Sequence, residues 1–263
     1  MLLLPISESK KLILFHRIMR RVQINYGRYR IGVTEFGTVV DAGTGSSQAD
    51  FIQEKEKNMK VLMINGSPHI KGNTYTALAE MEKIFAMEGI ETEMIQVGNK
   101  MIRGCVACGS CADTGKCVFD DLVNETAPKF EACDGLVVGS PVYYASANAT
   151  LIAFLTRLFY STHFDKSMKA GAGVVAARRG GLSSTFDEIN KFFTISGMPV
   201  VSSQYWNSIH GRTPGEALQD EEGLQTMRTL ARNMAFLMKS IALGKEKYGL
   251  PEKEAFCRTN FIR

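Results

Sequence analysis

Residues 61–74 constrain this chain more than any other stretch: Val61-Leu62-Met63-Ile64-Asn65-Gly66-Ser67-Pro68-His69-Ile70-Lys71-Gly72-Asn73-Thr74. A short apolar run stops at a glycine, so residues 60–65 read as a buried strand. Turn chemistry follows. From residue 74 apolar residues return at helical spacing, at Leu78, Met81, Ile84 and Phe85, until Gly89 stops them. A strand, a tight loop and a helix start in that order make an anion site, because first-turn amides have no intrahelical partner and the helix dipole favours negative charge there. Ser67, Asn73 and Thr74 add side-chain donors at the same spot. A triphosphate-binding loop needs Lys directly after its second glycine; here Asn73 stands there, and five residues separate Gly66 from Gly72, one too many. The dinucleotide pattern G-x-G-x-x-G is absent. A loop of mostly neutral donors suits one terminal phosphate monoester.

Further elements follow in alternation. Strands are predicted at residues 92–97, 135–140, 171–177 and 198–203. Helices are predicted at residues 74–87, 120–133, 147–160, 185–196 and 220–243, the last ending at Gly244. Asp120 or Asp121 sits near the start of the second helix, where a carboxylate suits the dipole. Five strands alternating with helices predict an α/β fold: a doubly wound five-stranded parallel sheet between two helical layers. Ligands of such sheets lie beyond the strand C-termini. Three loops occupy that rim: residues 66–74, 140–146 and 178–184. The second carries Pro141, Val142, Tyr143 and Tyr144; its tyrosines offer flat faces to a planar ring, or else pack on the neighbouring helix. The third carries Arg178, Arg179, Gly180 and Gly181, which bring close backbone approach and positive charge, or else form a solvated basic turn.

Between the second strand and the next helix lies Cys105-Val106-Ala107-Cys108-Gly109-Ser110-Cys111, with Cys117 after five further residues. Three thiolates at this spacing can wrap one compact inorganic core, the logic of cubane ligation. The tail, x5 followed by Val118, is not that of a two-cluster ferredoxin. Zinc and a reversible dithiol are the other readings, although zinc knuckles are usually set further apart. Cys133 and Cys257 read as bystanders. The four histidines lack metal-ligand spacing, and no G-x-S-x-G elbow occurs.

With 263 residues, 45% hydrophobic and 22% charged, the chain has the composition of a globular protein. The net charge is 31 − 27 = +4, and residues 1–58, with nine Lys/Arg and six Asp/Glu, hold +3 of it. The remainder is near neutral, which gives nucleic acid no basic stripe. No apolar run approaches the ~20 residues of a membrane span. Clustered cysteines with no secretory signal before them point to a reducing cytoplasm. Residues 1–58 read as an N-terminal extension, disordered or a translated leader, with a flexible linker at 43–47 and Met59 as the expected native start. Residues 59–244 form the expected domain and 245–263 a C-terminal tail.

Gly66-Ser67-Pro68, Gly72-Asn73-Thr74, Ser140-Pro141-Val142-Tyr143-Tyr144 and Gly180-Gly181 together resemble the flavodoxin-fold NAD(P)H-dependent FMN reductase superfamily. With Cys105, Cys108, Cys111 and Cys117 the resemblance is to its iron-sulfur flavoprotein branch, over roughly residues 60–243. The resemblance implies a flavodoxin-like sheet and FMN. It places the phosphate on Ser67, Asn73 and Thr74, in the loop that also holds Pro68, Lys71 and Gly72. Pro141, Val142, Tyr143 and Tyr144 border the ring, and Arg178, Gly180 and Gly181 close its other side. It also implies a [4Fe–4S] cluster on the four cysteines, NAD(P)H as donor, and a homodimer or homotetramer. Electrons then pass from FMN through the cluster or the reverse; alternatively hydride passes from NAD(P)H to flavin and on to a quinone, free flavin, nitro or azo compound. A reading of another class is a redox-sensing interaction protein that uses the C-x-x-C-x-x-C thiols as its switch.

Overall fold

The computed structural model describes residues 25–26, 29–34, 37–40, 59–255, 257–259 and 261. The chain divides into two units, Met1–Lys57 and Asn58–Arg263. In the first, β1 (Asn25–Tyr26), β2 (Tyr29–Thr34) and β3 (Gly37–Val40) pair antiparallel in sequence order, with Tyr26 opposite Tyr29 and Val33 opposite Thr38. The sequence reading assigned no strand there. The predicted linker at residues 43–47 lies outside the described residues.

The second unit is built on a parallel sheet of β4 (Lys60–Asn65), β5 (Glu91–Gln96), β6 (Gly135–Tyr143), β8 (Ala170–Ala177) and β9 (Ser208–His210), in the order β5-β4-β6-β8-β9. The chain starts next to one edge, crosses to that edge and then reverses, so the switch point lies between β4 and β6. Met63 of β4 faces Met94 on one side and Val137 on the other. Alternate residues of β4 feed opposite layers. Val61 and Met63 pack with Leu78 and Phe85 of α1 (Asn73–Met87) and Met227 and Met234 of α6 (Glu221–Tyr248). Leu62 and Ile64 pack with Phe130 of α3 (Leu122–Ala132), Phe154 of α4 (Ala149–Ser161) and Phe193 of α5 (Leu182–Ile195). Both faces are therefore covered, and β4, β6 and β8 read as continuous apolar runs for that reason. A one-turn α2 (Cys111–Thr114) lies in the cysteine loop.

Two elements differ from their sequence expectation. The fifth strand, predicted at residues 198–203, lies instead at Ser208–His210. Val200 makes one parallel bridge to Gly171, the chain then leaves the sheet, and it rejoins β8 with Ser208 opposite Val175. Asn207 spans the break: its side-chain amide donates to the Gly173 carbonyl (3.0 Å) and its own carbonyl accepts from the Val175 N–H (3.0 Å). The closing helix does not stop at Gly244; it runs through to Tyr248 and ends at Gly249, where φ is +75°. A glycine inside a helix costs only about 1 kcal/mol relative to alanine, so the helix passes Gly244.

Candidate flavin site at the strand C-termini

The first rim loop leaves β4 under tight local control. The Gly66 N–H donates to the Gly139 carbonyl (2.8 Å), which ties the loop to β6. The Asn65 carboxamide accepts from the Ser67 N–H (3.0 Å), and the Ser67 hydroxyl oxygen accepts from the His69 N–H (3.1 Å). Gln96, at the end of β5, donates to the Ser67 carbonyl (2.6 Å). Gly98 passes so close that a β-carbon there would overlap the carbonyl oxygens of Gly66 and Ser67. Neither Gln96 nor Gly98 was singled out in the sequence; the glycine directly after an apolar strand end was the available signal.

Helix α1 then begins on Gly72 with no side-chain cap and no acidic residue in its first turn. The Thr76 N–H is the first to find an in-helix carbonyl, that of Gly72 (3.0 Å). The amides of Asn73, Thr74 and Tyr75 are thus left for an external acceptor, at the positive end of a 15-residue helix. Helices α3, α4 and α6 start differently, each capped by its own side chain: Asp121, Asn148 and Asp220. Ser67, Gly72 and Thr74 are buried beside the open amides, and Lys71 and His69 are exposed at the mouth. Asn73 is partly committed elsewhere: its side-chain oxygen accepts from the Ala217 N–H (3.2 Å) and joins α1 to the segment after β9. These features suit a phosphate monoester: open amides, a buried hydroxyl and no competing carboxylate.

The second loop is a hairpin. Strand β6 runs on to Tyr143 and turns back into β7 (Ser146–Ala147), with Val142 opposite Ala147. Tyr144 and Ala145 both have positive φ, 50° and 61°, as a two-residue hairpin turn of the primed type requires. Neither residue is Gly, Asn or Asp, so the turn is held from outside. Glu188 of α5 accepts from the Ser146 hydroxyl and the Ala147 N–H, both at 2.8 Å, and the Ser184 hydroxyl donates to the Ala145 carbonyl (2.7 Å). Tyr144 is fully exposed and Tyr143 is 44% exposed. Tyr144 is therefore free of the helix packing that was the alternative reading, whereas Tyr143 is partly covered. Partial burial raises the Tyr143 phenol above its ordinary value, so it stays a neutral donor near pH 7.

The third loop packs on the second. Gly181, with φ +85°, lies where a β-carbon would meet Val142 Cγ1 at 2.8 Å and Ala145 Cα at 2.9 Å. It starts α5 without a side-chain cap, as Gly72 starts α1. Arg178, Arg179 and Gly180 are exposed. The three predicted loops thus meet at one rim, joined by the Gly66–Gly139 bond on one side and the Gly181–Ala145 contact on the other.

The cysteine loop begins after β5. Cys105 and Cys108 are exposed, and Cys111 and Cys117 are half-buried. Among the described residues no three Cys, His, Asp or Glu side chains are gathered as a metal-ion site. The donor set nevertheless has the chemistry of a thiolate-ligated cluster. Residues 103–109 are exposed, so no buried side chain opposes their folding onto Cys111 and Cys117. Cys117 is anchored: its N–H donates to the Asn124 carboxamide (3.0 Å), and its sulfur accepts from the Arg157 Nε–H (3.2 Å). Arg157, on α4, was not picked out from the sequence; a lone cation in an otherwise apolar helix was the signal. Cys133 is buried in a core cluster against which Ile102 and Cys117 of this loop also pack.

Residues 59–213 match the family described as NADPH-dependent FMN reductase. The chain belongs to this family. It is similar to an iron-sulfur flavoprotein of Methanocaldococcus jannaschii, 35% identical over 191 residues, which are 70% of this chain and 99% of the relative. An iron-sulfur flavoprotein of Methanosarcina thermophila is 31% identical over 193 residues, 72% of this chain and 100% of the relative. Among solved structures, an NAD(P)H:quinone oxidoreductase from Methanothermobacter marburgensis superposes with a TM-score of 0.53 at 15% identity, over 67% of this chain and 96% of that one. At that identity the likeness speaks for the fold alone, which is flavodoxin-like. As a member of the FMN reductase family the protein is a flavin-dependent oxidoreductase with FMN as its cofactor. Among the described residues no helix is long and apolar enough to cross a membrane.

Proposed function

We propose that this protein moves electrons between NAD(P)H, or a redox partner, and an acceptor through FMN held by the three rim loops and a [4Fe–4S] cluster held by Cys105, Cys108, Cys111 and Cys117. The names of the relatives, both iron-sulfur flavoproteins, support the cluster. The observation that carries the reading is the pair of uncapped, glycine-started helices on either side of the Tyr143–Tyr144 turn at one sheet rim.

In this reading the α1 first-turn amides, Ser67 and Thr74 bind the phosphate, with Pro68, Lys71, Gly72 and Asn73 shaping and charging the loop. Pro141, Val142, Tyr143 and Tyr144 border one side of the ring, and Arg178, Gly180 and Gly181 the other. When bound, FMN supplies the exchange between two-electron and one-electron chemistry that no side chain provides. The protein's own part is orientation and charge. Arg178 and Arg179 bring positive potential to the rim, which favours a reduced, anionic ring and attracts the phosphates of a pyridine nucleotide. No side chain is assigned acid or base work. A homodimer or homotetramer working in the cytoplasm completes the reading.

Anaerobic purification tests it, by visible spectrum and by FMN, iron and acid-labile sulfide content. Flavin with about four irons and four sulfides per chain, bleached by NADH or NADPH, is the expected result. Flavin with intact thiols and no iron would leave a cluster-free NAD(P)H-dependent quinone, nitro or azo reductase. Negligible turnover, with partner binding that changes on thiol oxidation, would favour a redox-sensing interaction protein instead.

A further inference from the structure

Arg157 is 1% exposed and among the largest fully buried side chains. A guanidinium has five N–H donors, and burying it is costly unless all are used. Here all five are. Nε–H donates to Cys117 Sγ (3.2 Å). Nη1 donates to Asp121 Oδ2 (2.7 Å) and to the Arg103 carbonyl (3.3 Å). Nη2 donates to Asp121 Oδ1 (2.9 Å) and to the Phe119 carbonyl (3.1 Å). The Phe119 ring lies against the same group, 5.1 Å from the guanidinium carbon, with the Arg103 guanidinium on it at 4.6 Å.

These partners share one property. Arg103 precedes Cys105 by two residues, and Cys117, Phe119 and Asp121 close the other end of the same loop. One buried side chain from α4 therefore ties both stems of the cysteine loop together and places its remaining donor on the last sulfur. The pair with Asp121 is a planar, two-bond fork, a geometry lysine cannot copy. Asp121 is itself fixed, because its side chain also caps α3 by accepting from the Val123 N–H (3.0 Å).

We infer that Arg157 is the positioning residue of the cysteine loop: it holds the Cys117 sulfur in ligating position and, with a cluster in place, donates a hydrogen bond to that ligand sulfur and so raises the cluster's reduction potential. The inference rests on the cluster reading above for its second half only. An N–H donor and a buried cation beside a thiolate stabilise the more negative, reduced state, and partners outside the ligand set commonly change metal affinity about 10–100-fold.

The test uses the full chain loaded with FMN, as wild type, as Arg157→Lys, and as Asp121→Asn combined with Arg157→Met, which removes both charges of the pair together. Retained flavin absorbance reports that the fold survives, since the FMN loops lie on other elements. In iron-containing protein the expected result is a more negative cluster midpoint in an EPR-monitored titration and about tenfold faster loss of iron to a chelator, with the flavin midpoint unmoved. An unchanged cluster midpoint and unchanged iron loss in both variants would overturn the inference. Wild-type protein without iron would defeat the cluster reading, and the positioning role is then decided by alkylation. Slower iodoacetamide labelling of Cys117 than of Cys105 in wild type, with the difference lost in Arg157→Lys, supports it. Equal labelling of the two cysteines in wild type overturns it.

Discussion

Cys133 shows how burial alone sets chemistry. Its side chain is 1% exposed, and desolvation pushes the thiol up to about 11, against the pull of the nearby Lys169 ammonium. In the unfolded chain it titrates near 9.0. Between about pH 9 and about pH 11 the unfolded state loses this proton first, so it binds fewer protons and stability falls as pH rises. We expect the unfolding free energy of the wild type, from urea titration, to fall with pH across that window more steeply than that of Cys133→Ala, by at most about 1.4 kcal/mol per pH unit. Parallel curves would mean that the thiol is not desolvated in solution. The sequence marked Cys133 as a bystander by its place at a helix-to-strand junction; its burial was not legible there. Arg157 showed in the sequence only as a lone cation: the helical stripe of Leu151, Phe154, Leu155 and Leu158 reads as core, and only the fold shows which loop the one cation among them reaches.

Elements were legible where burial is continuous and hidden where side chains stand in for the ladder. Strands β4, β6 and β8 lie between two helical layers and are apolar throughout, so their positions follow from composition alone. Strand β9 has three residues at the sheet edge, and of these Ile209 alone is a core side chain. Its pairing depends on Asn207, which no periodicity reveals, so the more apolar Met198-Pro199-Val200-Val201 drew the prediction. The second rim loop was legible in place but not in form. Tyr144 and Ala145 are poor residues for positive φ, and the turn exists because Glu188 and Ser184 of α5 hold it. Glu188→Ala removes two hydrogen bonds to a charged acceptor, worth about 1.5–3 kcal/mol each where buried. We expect amide exchange at residues 142–147 to accelerate at least tenfold while β4 and β6 keep their protection. Unchanged exchange would assign the turn's stability to Gly181 and its contact with Ala145.

At the scale of the whole molecule, the parallel sheet and all three rim loops lie in the unit Asn58–Arg263, and the family match begins at residue 59. We expect a chain beginning at Met59 to fold and bind FMN as the full chain does; an insoluble or flavin-free truncate would give residues 1–58 a structural role. The uncapped α1 start, the Tyr143–Tyr144 hairpin and the Arg178–Gly181 turn belong to three different crossovers. The parallel pairing of β4, β6 and β8 brings them to one rim, so single motifs understate the site. The most direct test is flavin-fluorescence titration of the apoprotein with FMN, alongside one variant per loop: Ser67→Ala, Tyr143→Ala, and Arg178→Ala with Arg179→Ala. The account predicts stoichiometric quenching by wild type and weaker affinity in all three, by about 1–3 kcal/mol for the buried Ser67 hydroxyl. A protein that takes up no FMN, or one whose affinity is indifferent to all three changes, would contradict it.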